Sequence, residues 1–198
     1  MAVKSKIFFQ NQICRRIFYW RGKSRAQYII KLIAPYLKHA DRIVDIGAGS
    51  CNISELLLKK GFKVTPADIE DLSLVNQIKP IIIDGKKLPF KNDAFDVALI
   101  IGVLHHTGSP IDIIKEAKRV SPRLIIIEDI YTTRCEKYIT YALDSLQNQE
   151  FNGHPHSNKT DAEWRLLFHE LGLKLREAKY SHWVWCPPLK HATYYLKK

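Results

Sequence analysis

The sequence predicts an α/β domain in which helices cover both faces of a mainly parallel β-sheet. Two observations support this prediction: short runs rich in isoleucine and valine alternate with helical patterns from Arg42 onward, and a glycine-rich turn follows the first run. Near-continuous apolar runs suit strands that are buried on both faces. The chain has 198 residues, 46% of them hydrophobic, which is enough for one globular domain with its own core.

The predicted strands follow from the apolar runs. Five runs predict parallel strands: Ile43–Ile46, Lys63–Ala67, Pro80–Ile83, Phe95–Ile101 and Leu124–Glu128. Two later stretches are predicted to close the sheet as an antiparallel pair: Leu173–Tyr180 and Ala192–Leu196.

The predicted helices are bounded by start and stop signals. Ser109 as N-cap, Pro110 at the first helical position and Ser121-Pro122 as a stop define a helix over Pro110–Val120. Thr160 and Glu163 form the pattern of a capping box, which opens a helix that ends at Gly172. Two further helices are predicted over Ile53–Lys60 and Arg134–Gln149.

Positive charge is concentrated at the amino terminus. Residues 1–42 carry ten Lys or Arg residues against Asp41 alone, whereas the rest of the chain is nearly balanced. Apolar and aromatic residues between these basic residues recur at helical spacing, so residues 1–40 are predicted to form basic amphipathic helices. Such helices cover a binding crevice, contact an anionic membrane or a partner, or pack on the domain edge with their lysines in water.

The cysteines and the apolar runs indicate the cellular setting. Cys14, Cys51, Cys135 and Cys186 form no closely spaced pair, which argues against a disulfide framework and a zinc site. No apolar run approaches the roughly 20 residues that cross a bilayer, and polar residues interrupt the amino-terminal stretch that would form an export signal. We expect a cytoplasmic protein, with membrane contact, if any, only at the surface.

Ligand-binding residues are predicted at the carboxyl ends of three successive strands. Gly47-Ala48-Gly49 follows the first strand, Asp68 ends the second, and Asp84-Gly85 ends the third. Glycines let backbone amides approach a ligand closely, and an acidic residue about 20 positions on can accept hydrogen bonds from ribose hydroxyls. Taken one at a time, Asp68 and Asp84 could each be present only to stabilise a turn. Together with the glycines, they indicate a ligand-binding crevice at the switch point of the sheet.

With these motifs, the sequence resembles the class I S-adenosylmethionine-dependent methyltransferases, in particular the small-molecule branch that includes the ubiquinone/menaquinone C-methyltransferases. The resemblance runs from about Arg42 to Glu128 and continues more loosely to the end of the chain. It rests on the motifs above and on three further segments: Leu88-Pro89-Phe90, Phe95-Asp96-Val97 and Val103-Leu104-His105-His106. It implies a Rossmann-like domain over residues 41–198, with seven strands, a mostly parallel sheet, an antiparallel closing strand and N-terminal helices.

The resemblance also implies the cofactor and its contacts. S-adenosylmethionine would bind, with S-adenosylhomocysteine as the product. Gly47 and Gly49 would line its methionine part with Asp45 near the amino group, Asp68 would hold the ribose, and Ile69 and Asp84 would contact the adenine. The full set of implied cofactor contacts is Asp45, Gly47, Ala48, Gly49, Asp68, Ile69, Asp84, Gly85, Ile101 and Gly102.

The glycine-rich turn departs from the family pattern at one position. Cys51 occupies the place of the third glycine, and a side chain there reduces stability or cofactor affinity if the backbone needs a positive φ. A nicotinamide-binding domain fits less well, because that fingerprint requires glycine or alanine where Asn52 stands.

Candidate catalytic residues follow the fourth and fifth strands. His105 and His106 are placed to contact the acceptor or remove its proton, although a histidine that only hydrogen-bonds the loop is an equally good interpretation. Asp129 ends the fifth strand at the same rim, where it binds or deprotonates an acceptor or caps a helix.

Candidate acceptor-binding residues surround that rim. Glu128 and Tyr131 lie beside Asp129, Asp144 and Asn148 share one helix face with Thr140, and His154 and His156 lie in a polar loop. A solvated face and a surface loop are the simpler interpretations of the last two sets. His154 and His156 have metal-ligand spacing, but no acidic or cysteine partner is adjacent, so no metal site is predicted.

The sequence favours a methyltransferase for a small-molecule or lipid-like acceptor. The segment after the fourth strand lacks the Asn/Asp-Pro-Pro-aromatic motif of enzymes that methylate base amines, which makes nucleic acid an unfavoured substrate. Two alternatives stay open: a non-catalytic cofactor-binding module, because of Cys51, and an RNA methyltransferase, because of the basic amino terminus. The acceptor, the methylated atom and the oligomeric state do not follow from the sequence.

Overall fold

The computed structural model describes residues 12–148, 157–182 and 190–198, with the side chains of Cys14 and of residues 142–148 excepted. The helices are α1 (Gln12–Ile33), α2 (Asn52–Lys59), α3 (Pro110–Val120), α4 (Arg134–Asn148) and α5 (Asp161–Glu170). The strands are β1 (Arg42–Ile46), β2 (Lys63–Asp68), β3 (Ile81–Ile82), β4 (Val97–Ile101), β5 (Arg123–Ile130), β6 (Lys174–His182) and β7 (Lys190–Lys197). Short 3₁₀ turns follow α1 and β4.

The predicted sheet is confirmed. The seven strands lie in the order β3-β2-β1-β4-β5-β7-β6, with β1 to β5 parallel and β7 antiparallel to both β5 and β6. The chain leaves β1 toward β2 on one side and returns to β4 on the other. The carboxyl ends of β1 and β4 therefore flank the switch point, where ligands bind in open α/β sheets.

The two faces of the sheet are buried by different helices. On one face, residues of α1 and α2 pack on the odd-numbered apolar residues of β4 and β5; the buried members of this core include Ala26, Ile29, Ile33, Leu57, Leu99 and Ile125. On the other face, residues of α3 and α5 pack on the even-numbered ones, among them Ile114, Ala117, Trp164, Phe168, Ile100 and Ile126. Alternation of side chains along a strand divides one apolar run between two cores.

Helix α1 packs tightly against α2. A methyl group placed on Gly22 would lie 2.1 Å from Nδ2 of Asn52, so a glycine permits this close approach. The Tyr19 hydroxyl donates to Glu55 at 3.0 Å, and Arg15 donates to Asn76 at 2.9 Å. The predicted amphipathic helix thus covers one face of the sheet with one side and keeps another side exposed; residues 1–11 lie outside the described part.

Some boundaries and one cap differ from the predictions. β3 contains only Ile81 and Ile82, both exposed, because it pairs with β2 at the edge of the sheet. The capping box at Thr160 is confirmed, but the Ser109 side chain makes no capping bond to the helix. Ser109 occupies the N-cap position before Pro110 as predicted, but its hydroxyl donates to Asp112 at 2.6 Å instead of accepting from a helix amide.

Among the described residues, no helix is long and apolar enough to cross a membrane. In the same part of the chain, no three His, Cys, Asp or Glu side chains are grouped to hold a metal ion.

Candidate active site

The glycine-rich turn lies against the segment that follows β4. Gly47 has a φ of +73°, and its amide donates to the carbonyl of Ala67 at 2.8 Å. A methyl group placed on Gly47 would lie 2.3 Å from Cγ2 of Val103. A glycine is therefore required both by the backbone conformation and by the contact that closes the turn on β4.

Asp68 connects the end of β2 to this turn. Its carboxylate accepts hydrogen bonds from the amides of Gly49 and Ile69, each at 2.7 Å. The side chain predicted to hold the ribose thus orients the backbone of the turn, and each carboxylate oxygen can accept a further bond.

Cys51 adopts the left-handed conformation that its place in the motif predicted. It has a φ of +58°, directly before α2, and is fully buried. Burial raises the pKa of its thiol to about 11, so the sulfur stays protonated and unreactive. The strain expected from the missing glycine is present in the backbone.

Asp45 is a buried carboxyl beneath the turn. It is 2% exposed and accepts a hydrogen bond from the Ser54 hydroxyl at 2.6 Å. Burial raises its pKa to about 6; the bond from Ser54 and the charge of Arg25 lower it, whereas Asp68 raises it. A carboxyl with this pKa changes charge near neutral pH.

Asp84 and Ile69 lie at the rim beside β3. Oδ1 of Asp84 accepts from the amides of Lys86 and Lys87, each at 2.8 Å, and these bonds lower its pKa below the usual range. Gly85 has a φ of +75°, and a methyl group there would lie 3.2 Å from Cγ2 of Ile69, whose side chain is 68% exposed. Asp84 therefore shapes a turn, and Ile69 presents apolar surface next to it.

His105 and Glu128 form a buried pair on the other side of Gly102. Nδ1 of His105 lies 2.5 Å from Oε2 of Glu128, while Oε1 of Glu128 accepts from the amides of Val103 and Leu104 at 3.0 and 2.8 Å. Glu128 is 1% exposed, so its carboxylate organises the turn that carries the histidines. The His106 ring packs on that of His105 with the centroids 4.0 Å apart.

Asp129 forms a second pair with a residue that the sequence analysis did not identify. His191 lies directly opposite it on β7, and Nδ1 of His191 is hydrogen-bonded to Oδ1 of Asp129. Burial raises the pKa of Asp129, but the bond from His191 and the charges of His191, His105 and Arg25 outweigh burial and leave the pKa below its ordinary value.

Arg25 is a second residue that was missed, because nothing in a basic helix distinguishes one arginine from its neighbours. A methyl group on Gly102 would lie 3.2 Å from Nη2 of Arg25 and 3.9 Å from Cε1 of His105. Arg25 is accessible to solvent, yet desolvation lowers its pKa while Asp129, Glu128 and Asp45 raise it. The Arg25 side chain is accessible to solvent and lies close to residues at the ends of β1, β4 and β5. We infer that it lines an open crevice at this edge of the sheet.

The predicted acceptor-binding residues are only partly placed by the structure. Tyr131 is half-buried, and the Lys137 ammonium lies 5.6 Å from its ring centroid. Asp144 and Asn148 belong to α4, but their side chains are among those not described, and His154 and His156 lie outside the described residues.

The segment after His156 docks onto the histidine turn. The Ser157 hydroxyl donates to the carbonyl of Leu104 at 2.9 Å. The adjacent Asn158 is 5% exposed, and neither polar atom of its carboxamide has a hydrogen-bond partner among the described residues. A buried carboxamide without partners is costly, so this position suits a polar ligand group or a buried water.

Comparison with known proteins agrees with this geometry. Residues 44–123 match the family described as methyltransferase domain. No curated protein matches the chain.

Solved structures share the fold over most of the chain. A SAM-dependent methyltransferase from Methanosarcina mazei is 22% identical, with a TM-score of 0.66 over 84% of this chain and 96% of that one. A SAM-dependent methyltransferase from Aquifex aeolicus is 16% identical, with a TM-score of 0.60 over 86% and 88%. The magnesium protoporphyrin IX methyltransferase of Synechocystis, solved with bound SAH, is 15% identical, with a TM-score of 0.65 over 98% and 100%.

The matched segment contains the glycine-rich turn, Asp68, Asp84 and the histidine turn, which are the residues gathered around the crevice. The sheet order is that of the Rossmann-like fold of these solved structures, and the match to the methyltransferase domain family covers residues 44–123 of this chain.

Proposed function

We propose that this protein transfers the methyl group of S-adenosylmethionine to a small-molecule or lipid-like acceptor, as the resemblance to the ubiquinone/menaquinone C-methyltransferases suggests. The observation that carries the proposal is the convergence of Gly102, Arg25 and His105 at the end of β4, beside the glycine-rich turn. In this arrangement a cofactor-binding loop and a candidate base lie at one rim of the sheet.

The residues beside the turn fit the cofactor. Gly47, Gly49 and Gly102 all have a positive φ, and at Gly49 no described atom lies within 4 Å of an added Cβ, so the backbone can approach a ligand closely there. Asp45, Gly47, Ala48 and Gly49 would hold the methionine part, Asp68 the ribose, and Ile69, Asp84 and Gly85 the adenine, with Ile101 and Gly102 along the opposite wall. Bound S-adenosylmethionine supplies a methyl group on a sulfonium, which is already activated for in-line displacement.

His105 is the proposed base for the acceptor. The ionised Glu128 carboxylate can only accept, so the hydrogen between it and His105 belongs to Nδ1 of the imidazole. Nε2 then carries the lone pair and can take a proton from the acceptor, and Glu128 stabilises the resulting imidazolium. Asp129 is the second proposed catalytic residue and His106 the third, because both lie beside His105.

The acceptor is proposed to bind between the histidine turn and α4. Glu128, Tyr131, Asp144, Asn148, His154 and His156 are the proposed contacts, although the carboxylate of Glu128 is already engaged by His105 and two amides. The docking of Ser157 on the carbonyl of Leu104 supports this placement, because it brings the end of the 152–158 loop to the histidine turn.

Residues 1–40 are proposed to act as a separate functional region that covers the crevice and contacts a membrane surface peripherally. The described part of this region supports both roles. Arg25 reaches the crevice, while Ile13, Ile17 and Trp20 share an exposed stripe of α1, with exposed fractions of 71%, 54% and 55%. Arg16 and Arg21 flank this stripe, as expected for a helix that lies on an anionic surface.

Calorimetric titration with S-adenosylmethionine and S-adenosylhomocysteine tests the cofactor site. The native protein is expected to bind both ligands, and Asp68→Ala is expected to abolish binding because it removes the ribose acceptor and releases the turn. Glu170→Ala, an exposed carboxylate on α5, is the control and should bind as the native protein does. Absence of binding by the native protein would contradict the proposal.

Two other functions make different predictions. A non-catalytic cofactor-binding module, suggested by the left-handed Cys51, predicts that His106→Ala and Asp129→Ala leave the biological output unchanged. An RNA methyltransferase predicts that the basic region binds structured RNA with a steep salt dependence.

A further inference from the structure

The Asp129–His191 pair joins the acceptor rim to a strand beyond the segment that matches the methyltransferase family. Asp129 on β5 and His191 on β7 are directly opposed in the antiparallel register, which places their side chains on one face. His191 is 2% exposed, whereas the Asp129 side chain retains 18%. The imidazole is therefore internal, whereas the Asp129 carboxylate is partly accessible and interacts with Arg25 and His105, the two side chains beside Gly102.

Charged groups from four elements act on Asp129. His191 on β7 donates to Oδ1, and Arg25 on α1 contributes positive charge. His105 in the turn after β4 adds positive charge when its imidazole is protonated, and Glu128 precedes Asp129 on β5. Burial favours the neutral acid, and the bond from His191 is the largest opposing influence. Without that hydrogen bond, only the more distant charged groups would oppose the rise in the pKa of Asp129 that burial causes.

We propose that His191 is a positioning residue that holds Asp129 as an ionised carboxylate at the crevice, where its negative charge favours the sulfonium form of the cofactor over the neutral product. The proposal rests on the proposed cofactor function. S-adenosylmethionine carries one positive charge more than S-adenosylhomocysteine, so a fixed negative charge nearby binds the substrate form more strongly and eases exchange for the product.

The positioning role is tested by carboxyl carbon NMR of Asp129 in the ligand-free protein. His191→Phe keeps the ring volume but removes the donor, and it is expected to raise the pKa of Asp129 by roughly one pH unit or more. His191→Asn replaces Nδ1 with an amide donor and should restore the native pKa. Thr193→Val, a fully buried control on the same face of β7, should leave it unchanged.

An unchanged pKa of Asp129 in His191→Phe, or equal shifts in His191→Phe and Thr193→Val, would overturn the positioning role. If His191→Phe does not fold, His191→Asn still decides. If the pKa of Asp129 in His191→Asn rises by roughly one pH unit or more, although an amide donor is present, the hydrogen bond is not what keeps the pKa low.

The charge effect is tested on the native protein with both ligands. By linkage, a sulfonium that is favoured by the carboxylate must in turn lower the pKa of Asp129. The pKa is expected to be lower in the S-adenosylmethionine complex than in the S-adenosylhomocysteine complex by roughly 0.5 pH units or more. Equal values in the two complexes would overturn the charge effect. Failure of the native protein to bind either ligand would instead refute the proposed function, while the ligand-free comparison would still test His191.

Discussion

Single residues control how closely the turn after β1 approaches β4. Gly47 has a φ of +73° and faces Val103, whereas Gly49 has a φ of +50° and, in the part of the chain that the structure describes, no atom beyond its chain neighbours lies within 4 Å of an added Cβ. Alanine substitutions at the two glycines therefore distinguish two contributions to the loss of stability: the strain of a left-handed backbone and the steric clash of an added Cβ.

Gly47→Ala is expected to lower the free energy of unfolding by about 2–4 kcal/mol, because the strained backbone and overpacking against Val103 both contribute. Gly49→Ala is the matched control and should cost about 1 kcal/mol, from the backbone alone. Urea denaturation of the ligand-free variants measures both. Equal losses would show that Val103 moves aside without cost.

Asp45 makes stability depend on pH in the sense opposite to that of an ion-paired aspartate. Its folded pKa is raised from 3.8 to about 6, so the folded protein holds the proton more tightly than the unfolded chain. The stability contributed by this group is present below about pH 4 and is lost as the pH rises through about 6.

Asp45→Asn is therefore expected to raise the free energy of unfolding by about 1–3 kcal/mol at pH 7–8, with the gain vanishing below about pH 4. The asparagine oxygen can still accept from Ser54. Denaturation at several pH values measures the effect, and calorimetry should show weaker binding of S-adenosylmethionine. A gain of the same size at every pH would rule out the titration of Asp45 as its source.

At the scale of elements, two helices with similar start signals begin differently. At α5 the Thr160 side chain accepts from the amide of Glu163 at 3.3 Å, and the Glu163 carboxylate accepts from the amide of Thr160 at 2.7 Å. At α3 the Ser109 hydroxyl donates to the carboxylate of Asp112 and so does not cap the helix.

Thr160→Ala is expected to destabilise the protein by about 1 kcal/mol, since it leaves the amide of Glu163 without its partner. Ser109→Ala, the same kind of change at the other helix start, should cost less than about 0.5 kcal/mol because only an exposed side-chain bond is lost. Thermal denaturation compares the two variants. A larger loss for Ser109→Ala would mean that this hydroxyl caps α3 in solution.

At the scale of the whole molecule, charge and apolar surface coincide on α1. The chain has a net charge of +11, and most of the excess lies in residues 1–42. The exposed stripe of Ile13, Ile17 and Trp20 lies within that basic region.

The protein is expected to cosediment with vesicles containing phosphatidylserine at low salt and to be released at high salt, because surface charge attraction is screened. Replacing Ile17 and Trp20 by serine should weaken this binding. Ile139→Ser, on α4 and 42% exposed, is the matched control and should not. No binding to anionic vesicles at low salt would refute the membrane contact.

The sequence by itself determined the order and type of the elements, and it identified most of the residues that we propose to hold the cofactor. Periodicity of apolar residues depends on local burial, so the runs around Ile43–Ile46 and Leu124–Glu128 predicted central strands directly. The glycine-rich turn and Asp68 were predicted because their spacing reflects one strand-turn-helix unit.

Only the tertiary structure decided which distant side chains meet. Arg25 reaches Gly102 from another element, and His191 meets Asp129 through the register of β5 and β7, although the two residues are 62 positions apart in sequence. Local patterns carry no information about such pairings, because they depend on how strands align and how helices dock. The burial of Glu128, which turns a predicted acceptor contact into the partner of His105, arises in the same way.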